Sequence, residues 1–169
     1  TVATDPARDF QELHLLGYFI DAGEARLVEA LARAAAARRE QKIAIVHHLQ
    51  RLGFDVPVEE VLALAGEGVV GRMHIARVAW ERNAARLGDP DRVFREYISV
   101  GGKAYEARRY EIALGEAIAL IRGAGGLPVL AHPGANRVVQ DIDGMVRRAA
   151  ALGLAGLEGP YTYDKNRPH

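Results

Sequence analysis

The sequence contains no cysteine among its 169 residues. That absence excludes disulfide bonds, thiolate nucleophiles and cysteine-based zinc sites, so His, Asp or Glu would have to hold any metal ion. It is also compatible with an intracellular protein, and we expect a cytoplasmic location. No run of about 18 apolar residues occurs, so we predict no membrane span.

The chain also lacks a net charge, since 22 Lys and Arg residues balance 22 Asp and Glu residues. A chain with no net charge shows no overall electrostatic preference for nucleic acid or for an anionic membrane, although a local basic patch is still possible. A helical nucleic-acid-binding module therefore has little support, and we predict no protein partner. Hydrophobic residues make up 49% of the sequence, which is enough for a packed core.

The apolar patterns predict strands at both ends of the chain and helices between them. Leu13–Phe19 reads as a buried strand, and Leu127–Ala131 and Ala155–Glu158 read as two more, separated by a predicted helix. This order is typical of an α/β sheet or barrel with parallel strands. The middle block, 23–110, is helical throughout, including a predicted helix over 91–98, and looks like an insertion.

Two motifs in the helical block are weaker than they look. Gly66–Gly71 spells G-x-G-x-x-G, but a predicted helix precedes it where a dinucleotide site needs a strand, so we predict a flexible loop. His47 and His48 are adjacent in a predicted helix and point about 100° apart. We therefore interpret them as surface or packing residues rather than as a chelating pair.

Three residues stand where an α/β fold collects its functional groups. His132 directly follows a predicted strand, and Pro133-Gly134 turns the chain away from it. Glu158 ends the next strand, and His14 lies inside the first one. Each also has a plain structural interpretation: a satisfied core histidine, or a glutamate that hydrogen-bonds a strand end.

A third group is basic and opens a predicted helix. Arg72, His74 and Arg77 lie at its start, with His74 and Arg77 three residues apart on one face. Free N–H groups at a helix start, together with guanidinium groups, suit a phosphate. The alternative is that these are solvated surface charges. The polar and aromatic stretch Tyr161–His169 is predicted as a substrate loop or a frayed end.

Taken together, these segments resemble the PHP family, named for polymerase and histidinol phosphatase. The resemblance is strongest to its stand-alone metal-dependent phosphoesterases, a branch that includes a phosphatase acting on 3′,5′-nucleotide bisphosphates, which also trims short RNA from the 5′ end. The matching segments, in family order, are LHLLGY (Leu13–Tyr18), GRMHIAR (Gly71–Arg77), GGKAY (Gly101–Tyr105), EAIALIRGAGGLPVLAHPG (Glu116–Gly134) and GLAGLE (Gly153–Glu158).

The resemblance implies part of a distorted (β/α)₇-type barrel, formed by 1–22 and 111–169, with 23–110 as an all-helical insertion. It implies two or three divalent metal ions (Mn²⁺, Mg²⁺ or Zn²⁺) in the complete protein, and His14 and His132 match metal ligands. Glu158 would lie near that site. The residues that would bind substrate phosphate are Arg72, His74, Arg77, Lys103 and Tyr105.

The function implied is metal-dependent hydrolysis of phosphate monoesters of nucleotides or short 5′-phosphorylated oligonucleotides. The family's opening His-x-His strand, its following Asp, His and Glu, and its closing Ser-Asp-x-His segment do not occur in this chain. We therefore expect a piece of a longer chain, with most metal ligands outside it. The alternative is a non-catalytic fragment or binding scaffold of a PHP-like protein. The exact substrate, the metal and the oligomeric state stay open.

Overall fold

The structure is a computed structural model that describes residues 2–5, 10–66, 68–135 and 139–159. The chain divides into two units, which we call the sheet unit and the helical unit. The sheet unit comprises 1–34 and 111–169, and the helical unit comprises 35–110. No helix in the described part of the chain is both long enough and apolar enough to cross a membrane.

The sheet unit contains a five-stranded sheet in the order β3-β1-β2-β4-β5. The strands are β1 (Val2–Asp5), β2 (Phe10–Tyr18), β3 (Ile112–Ala113), β4 (Leu127–Leu130) and β5 (Gly156–Leu157). β2 is antiparallel to both β1 and β4, whereas the β1–β3 and β4–β5 pairs are parallel. The predicted parallel wrapping thus holds for β4 and β5, but the sheet as a whole is mixed.

Alternation along β2 gives the sheet its two faces. Leu13 and Leu15 are each 1% exposed, while His14 between them is exposed. Successive side chains of a strand point to opposite faces, so the leucines enter the core and His14 points away from it. Helix α4 (Leu114–Gly123) packs against β1 to β4 and buries Ile118 and Ile121.

Two further helices belong wholly or partly to this unit. Helix α1 (Ala25–Arg51) begins in the sheet unit and continues in the helical unit. Helix α5 (Ile142–Ala151) connects β4 to β5, and the Oδ1 of Asp141 accepts a hydrogen bond of 2.8 Å from the Gly144 N–H at its start. This N-cap satisfies one of the backbone donors that a helix start leaves without a partner.

The helical unit contains the rest of α1, then α2 (Val58–Ala65), α3 (Arg72–Leu87) and a π-helical segment, Val93–Ile98. Its core includes Ile45, Ile75 and Ile98, each fully buried. The sequence predicted a short helix over 91–98. A helix is present over Val93–Ile98, but it is π-helical, because the Ser99 N–H donates to the carbonyl of Phe94, five residues back. Apolar spacing locates such a segment but does not distinguish the two hydrogen-bond patterns.

Candidate functional site

Sheet pairing brings the two predicted metal ligands together. β2 and β4 pair Leu15 with Leu130, and the Ala131 N–H continues the ladder by donating to the carbonyl oxygen of His14 at 2.8 Å. The imidazole rings of His14 and His132 have centroids 4.9 Å apart and lie at 74° to each other. His14 is exposed and His132 is half-buried, so the pair opens to solvent.

The backbone at His132 is unusual. Its φ is +33°, a region that residues with a side chain rarely adopt. Unusual backbone conformations of this kind persist only where surrounding contacts hold them, and they collect at functional sites. The sequence showed the sharp turn at Pro133-Gly134 but gave no sign that His132 itself takes the unusual conformation.

Glu158 also reaches this site. Its Oε2 accepts a hydrogen bond of 2.8 Å from the His132 N–H, and its own N–H donates to the Leu130 carbonyl at 2.9 Å. The sequence left two interpretations open for Glu158: facing the same mouth as His132, or hydrogen-bonding at the strand end. The structure shows the hydrogen bond, and it is made to His132 itself.

The separation of the two histidine rings is compatible with two ligands of one metal ion. Imidazoles bound at about 2.0–2.1 Å with an angle of about 90–109° at the metal would have ring centres about 4.5–5.2 Å apart. The observed 4.9 Å lies within that range. Two ligands are too few, however, and no group of three or more His, Asp or Glu side chains in the described residues is placed to hold a metal.

The predicted phosphate-binding residues open α3 as expected. Arg72 is its first residue, and the Gly71 N–H donates to Nδ1 of His74 at 3.1 Å. Because Nδ1 accepts, the neutral ring carries its proton on Nε2, which makes that nitrogen a donor. The Arg77 side chain is 65% exposed and is held by Glu81 at 2.8 Å. The arrangement offers donors of the kind that bind an anion.

Lys103 and Tyr105 follow the π-helical segment. The ammonium of Lys103 lies 3.8 Å from Oε2 of Glu96 and 5.4 Å from the centre of the Tyr97 ring, and its side chain is 64% exposed. The hydrogen bond from Arg92 to Glu96 holds the pKa of that carboxyl below its usual value. Tyr105 is half-buried, and its N–H donates to the Gly102 carbonyl.

The remaining motifs show ordinary surroundings. Gly66 follows α2 directly, as predicted, so no strand precedes the glycine-rich loop, and Glu67 within it lies outside the described residues. His47 is exposed and contacts Gln50, while His48 lies 3.6 Å from Glu106. The predicted substrate loop Tyr161–His169 also lies outside the described residues.

Several known proteins are similar to this chain in sequence or in structure. The 5′-3′ exoribonuclease Rnm of Salmonella typhimurium is 32% identical over 124 residues, covering 73% of this chain and 41% of that protein. A 3′,5′-nucleoside bisphosphate phosphatase of Chromobacterium violaceum is 28% identical over 148 residues, covering 86% of this chain and 51% of that protein. A solved structure from Bifidobacterium adolescentis, provisionally assigned as a metal-dependent phosphoesterase, matches with a TM-score of 0.76 at 28% identity and covers 93% of this chain and 54% of that chain. These likenesses confirm the PHP-family assignment.

The chain matches only part of each of these two PHP-family proteins. The chain spans about half the length of the curated relatives it matches. No family model matches the sequence. The mixed α/β architecture with its five-stranded sheet is consistent with a partial barrel, as the fold prediction required.

Proposed function

We propose that the protein is a divalent-metal-dependent phosphoesterase that hydrolyses phosphate monoesters of nucleotides or of short 5′-phosphorylated oligonucleotides. The observation that carries the proposal is the contact between His14 and His132, whose rings lie 4.9 Å apart on neighbouring strands. The two relatives named an exoribonuclease and a nucleoside bisphosphate phosphatase support the substrate class. A cytoplasmic location is part of the same proposal.

In this proposal the sheet unit contributes two metal ligands. His14 and His132 would hold one of two or three ions, of Mn²⁺, Mg²⁺ or Zn²⁺, and further ligands would complete the set. When bound, a divalent ion supplies positive charge to phosphate oxygens and makes water more acidic. The protein contributes the close placement of the two imidazoles, because the sheet ladder joins their strands at the Ala131 N–H.

The helical unit would bind substrate phosphate. The Nε2–H of His74 and the guanidinium groups of Arg72 and Arg77 would donate to phosphate oxygens, since charge-assisted donors are the strong ones. Lys103 and Tyr105 would add a cation and a hydroxyl group. The 3.8 Å separation between Lys103 and Glu96 is long for an ion pair and supports this role, because a weakly held ammonium can move to a phosphate.

The alternative is a non-catalytic binding scaffold. It is supported by the shortage of metal ligands, since the part of the chain that the structure describes holds no group of three. A scaffold could bind a phosphorylated ligand through the helical unit without hydrolysing it. The two functions differ in one measurable respect, which is release of inorganic phosphate.

The test uses the full-length protein loaded with Mn²⁺. Phosphate release would be measured from a 3′,5′-nucleoside bisphosphate and from a 5′-phosphorylated oligoribonucleotide. We expect His14→Ala and His132→Ala each to lower kcat/KM by more than about 100-fold, since losing even a group that supports a metal ligand costs about 10–100-fold. His47→Ala is the matched control, because His47 is an exposed histidine whose Nδ1 hydrogen-bonds Gln50.

The phosphate-binding residues are tested separately. Arg77→Ala should raise KM by about 10-fold with little change in kcat, which is the sign of lost ground-state binding. Arg51→Ala, which removes an exposed guanidinium from the last turn of α1, is the control. Binding of the oligonucleotide without phosphate release by wild-type protein would overturn the hydrolase and favour the scaffold.

A further inference from the structure

Glu158 makes hydrogen bonds to the backbone on both sides of Ala131, the residue that precedes His132. β4 and β5 run parallel with Leu130 opposite Leu157, and Glu158 follows at the end of β5. Its main-chain N–H donates to the carbonyl of Leu130, and its carboxylate accepts from the N–H of His132. One residue therefore ties down the backbone before and after Ala131.

The hydrogen bond to the His132 N–H lies at a residue whose backbone conformation is unfavourable. With φ at +33°, the His132 backbone is in a conformation that a side chain disfavours. A carboxylate that accepts from a backbone N–H makes a charge-assisted hydrogen bond, which is stronger than one to a neutral acceptor. The half-buried position of Glu158 limits competition from water.

The conformation of His132 in turn decides where its ring points. The neighbouring Ala131 N–H is fixed to the carbonyl of His14, so the two strands have no freedom to slide at this level. What stays adjustable is the rotation of the His132 backbone. Holding that rotation keeps the ring 4.9 Å from the ring of His14.

We propose that Glu158 is a positioning residue, whose carboxylate holds the His132 backbone so that both imidazoles can bind one divalent metal ion. The effect on metal binding rests on the proposed function. The effect on the His132 backbone does not, because it concerns only the hydrogen bond between Glu158 and His132. Glu158 acts through its hydrogen bond to the His132 N–H. Its role in this inference is that hydrogen bond and not metal ligation, and comparing Glu158→Gln with Glu158→Ala distinguishes the two roles.

The first experiment needs no metal. In the full-length, metal-free protein, hydrogen exchange of the His132 amide would be compared in wild type, Glu158→Gln and Glu158→Ala. We expect exchange to be at least about 10-fold faster in Glu158→Ala and to rise only slightly in Glu158→Gln, whose amide oxygen can still accept. The Ala155 amide, which donates to the Pro128 carbonyl at 2.8 Å, reports whether the β4–β5 pairing survives.

The second experiment measures Mn²⁺ affinity by calorimetry on the same three proteins. A supporting group costs about 10–100-fold in metal affinity when it is lost. We therefore expect Glu158→Ala to bind Mn²⁺ at least about 10-fold more weakly and Glu158→Gln to stay within about 3-fold of wild type. Glu29→Ala and Glu29→Gln, at an exposed position of α1 in the same unit, are the matched controls.

Each outcome decides the matter in one direction. If Glu158→Gln loses as much Mn²⁺ affinity as Glu158→Ala, Glu158 is a direct ligand and the positioning role is overturned. If Glu158→Ala leaves exchange of the His132 amide unchanged, the hydrogen bond does not hold the backbone and the inference also fails. Should Glu158→Ala not fold, Glu158→Gln decides alone, since a positioning role requires it to keep both properties.

Failure of the proposed function has a different signature. A wild-type protein that binds no Mn²⁺ and releases no phosphate would remove the phosphoesterase proposal. The effect of Glu158→Ala on the His132 amide would still be measurable in that protein. The two results are therefore distinguishable.

Discussion

In the sheet unit, strand pairing brings His14 and His132 together, whereas in the helical unit side-chain contacts hold Arg77 and Lys103. His14 and His132 are joined through the Ala131 N–H, at a place where two strands pair. Arg77 and Lys103 instead contact the acidic side chains of Glu81 and Glu96 at an exposed surface. A ladder fixes atoms rigidly, while an exposed ion pair is worth little and is easily exchanged for another anion.

This difference suits the two roles that we propose. Metal ligands must keep a fixed geometry, so they belong on paired strands. Phosphate-binding cations must release their own partners when substrate arrives, so weak ion pairs serve them well. The comparison therefore predicts that damage to the two units will have separable effects.

The largest effects should come from truncating the core beneath each candidate site. Leu130 is 1% exposed and precedes His132 closely, while Ile75 is 0% exposed and lies between His74 and Arg77. Leu130→Ala and Ile75→Ala should each lower the free energy of unfolding by about 2–5 kcal/mol, as buried large-to-small changes do. Chemical denaturation of the full-length protein would measure both.

Their functional readouts should differ. Leu130→Ala should weaken Mn²⁺ binding at least about 10-fold, because it loosens the strand end that holds His132. Ile75→Ala should raise KM for the phosphorylated substrate and leave Mn²⁺ affinity unchanged. If both variants change the same property, the division of roles between the units is wrong.

Some of this organisation can be predicted from the sequence and some cannot. The strand around His14 is predictable because Leu13 and Leu15 alternate with it, and the start of α3 follows from the glycine before Arg72. Strands β1 and β3 are missed, because two to four residues carry too little periodicity by themselves. β4 and β5 are equally short, but each follows a predicted helix and a glycine break, which gives them a context that β1 and β3 lack.

The site is harder to predict than the elements that carry it. His132 and Glu158 are 26 residues apart, and their hydrogen bond exists only because β4 and β5 pair in one register. The positive φ at His132 is likewise not signalled by the local sequence, because residues other than glycine uncommonly adopt it. The antiparallel pairing of β2 with β4, which brings His14 to His132, also depends on tertiary structure rather than on local pattern.

The ion pairs of the two units should differ in how much they contribute to the free energy of unfolding, and this effect should be of intermediate size. In the sheet unit, Asp5 is 8% exposed and accepts a hydrogen bond of 2.9 Å from Nε of Arg148. Asp5→Asn should cost about 1–2 kcal/mol of unfolding free energy, because the hydrogen bond from Arg148 loses its charged acceptor at a partly buried position. In the helical unit, Glu81→Gln removes an exposed pair with Arg77 and should cost less than about 0.5 kcal/mol. Equal losses, measured by urea denaturation, would contradict the contrast.

The smallest effect should be on the stability of the helical unit at acid pH. The hydrogen bond from Arg92 holds the pKa of Glu96 below its usual value of 4.5. The pKa of Asp89 is likewise held below its usual value of 3.8, mainly by a hydrogen bond from the Asp91 N–H and next by one from the Arg95 side chain. A carboxyl group with a lowered folded-state pKa stabilises the fold above its unfolded pKa. That contribution disappears as the pH falls through the folded value. Glu96→Gln should therefore be less stable than wild type above about pH 4.5, and the difference should close below that pH. Denaturation at a series of pH values, with Glu59→Gln at an exposed position of α2 as control, would show whether the gap closes. A gap that stays constant down to about pH 2 would mean that the charge of Glu96 does not hold this segment.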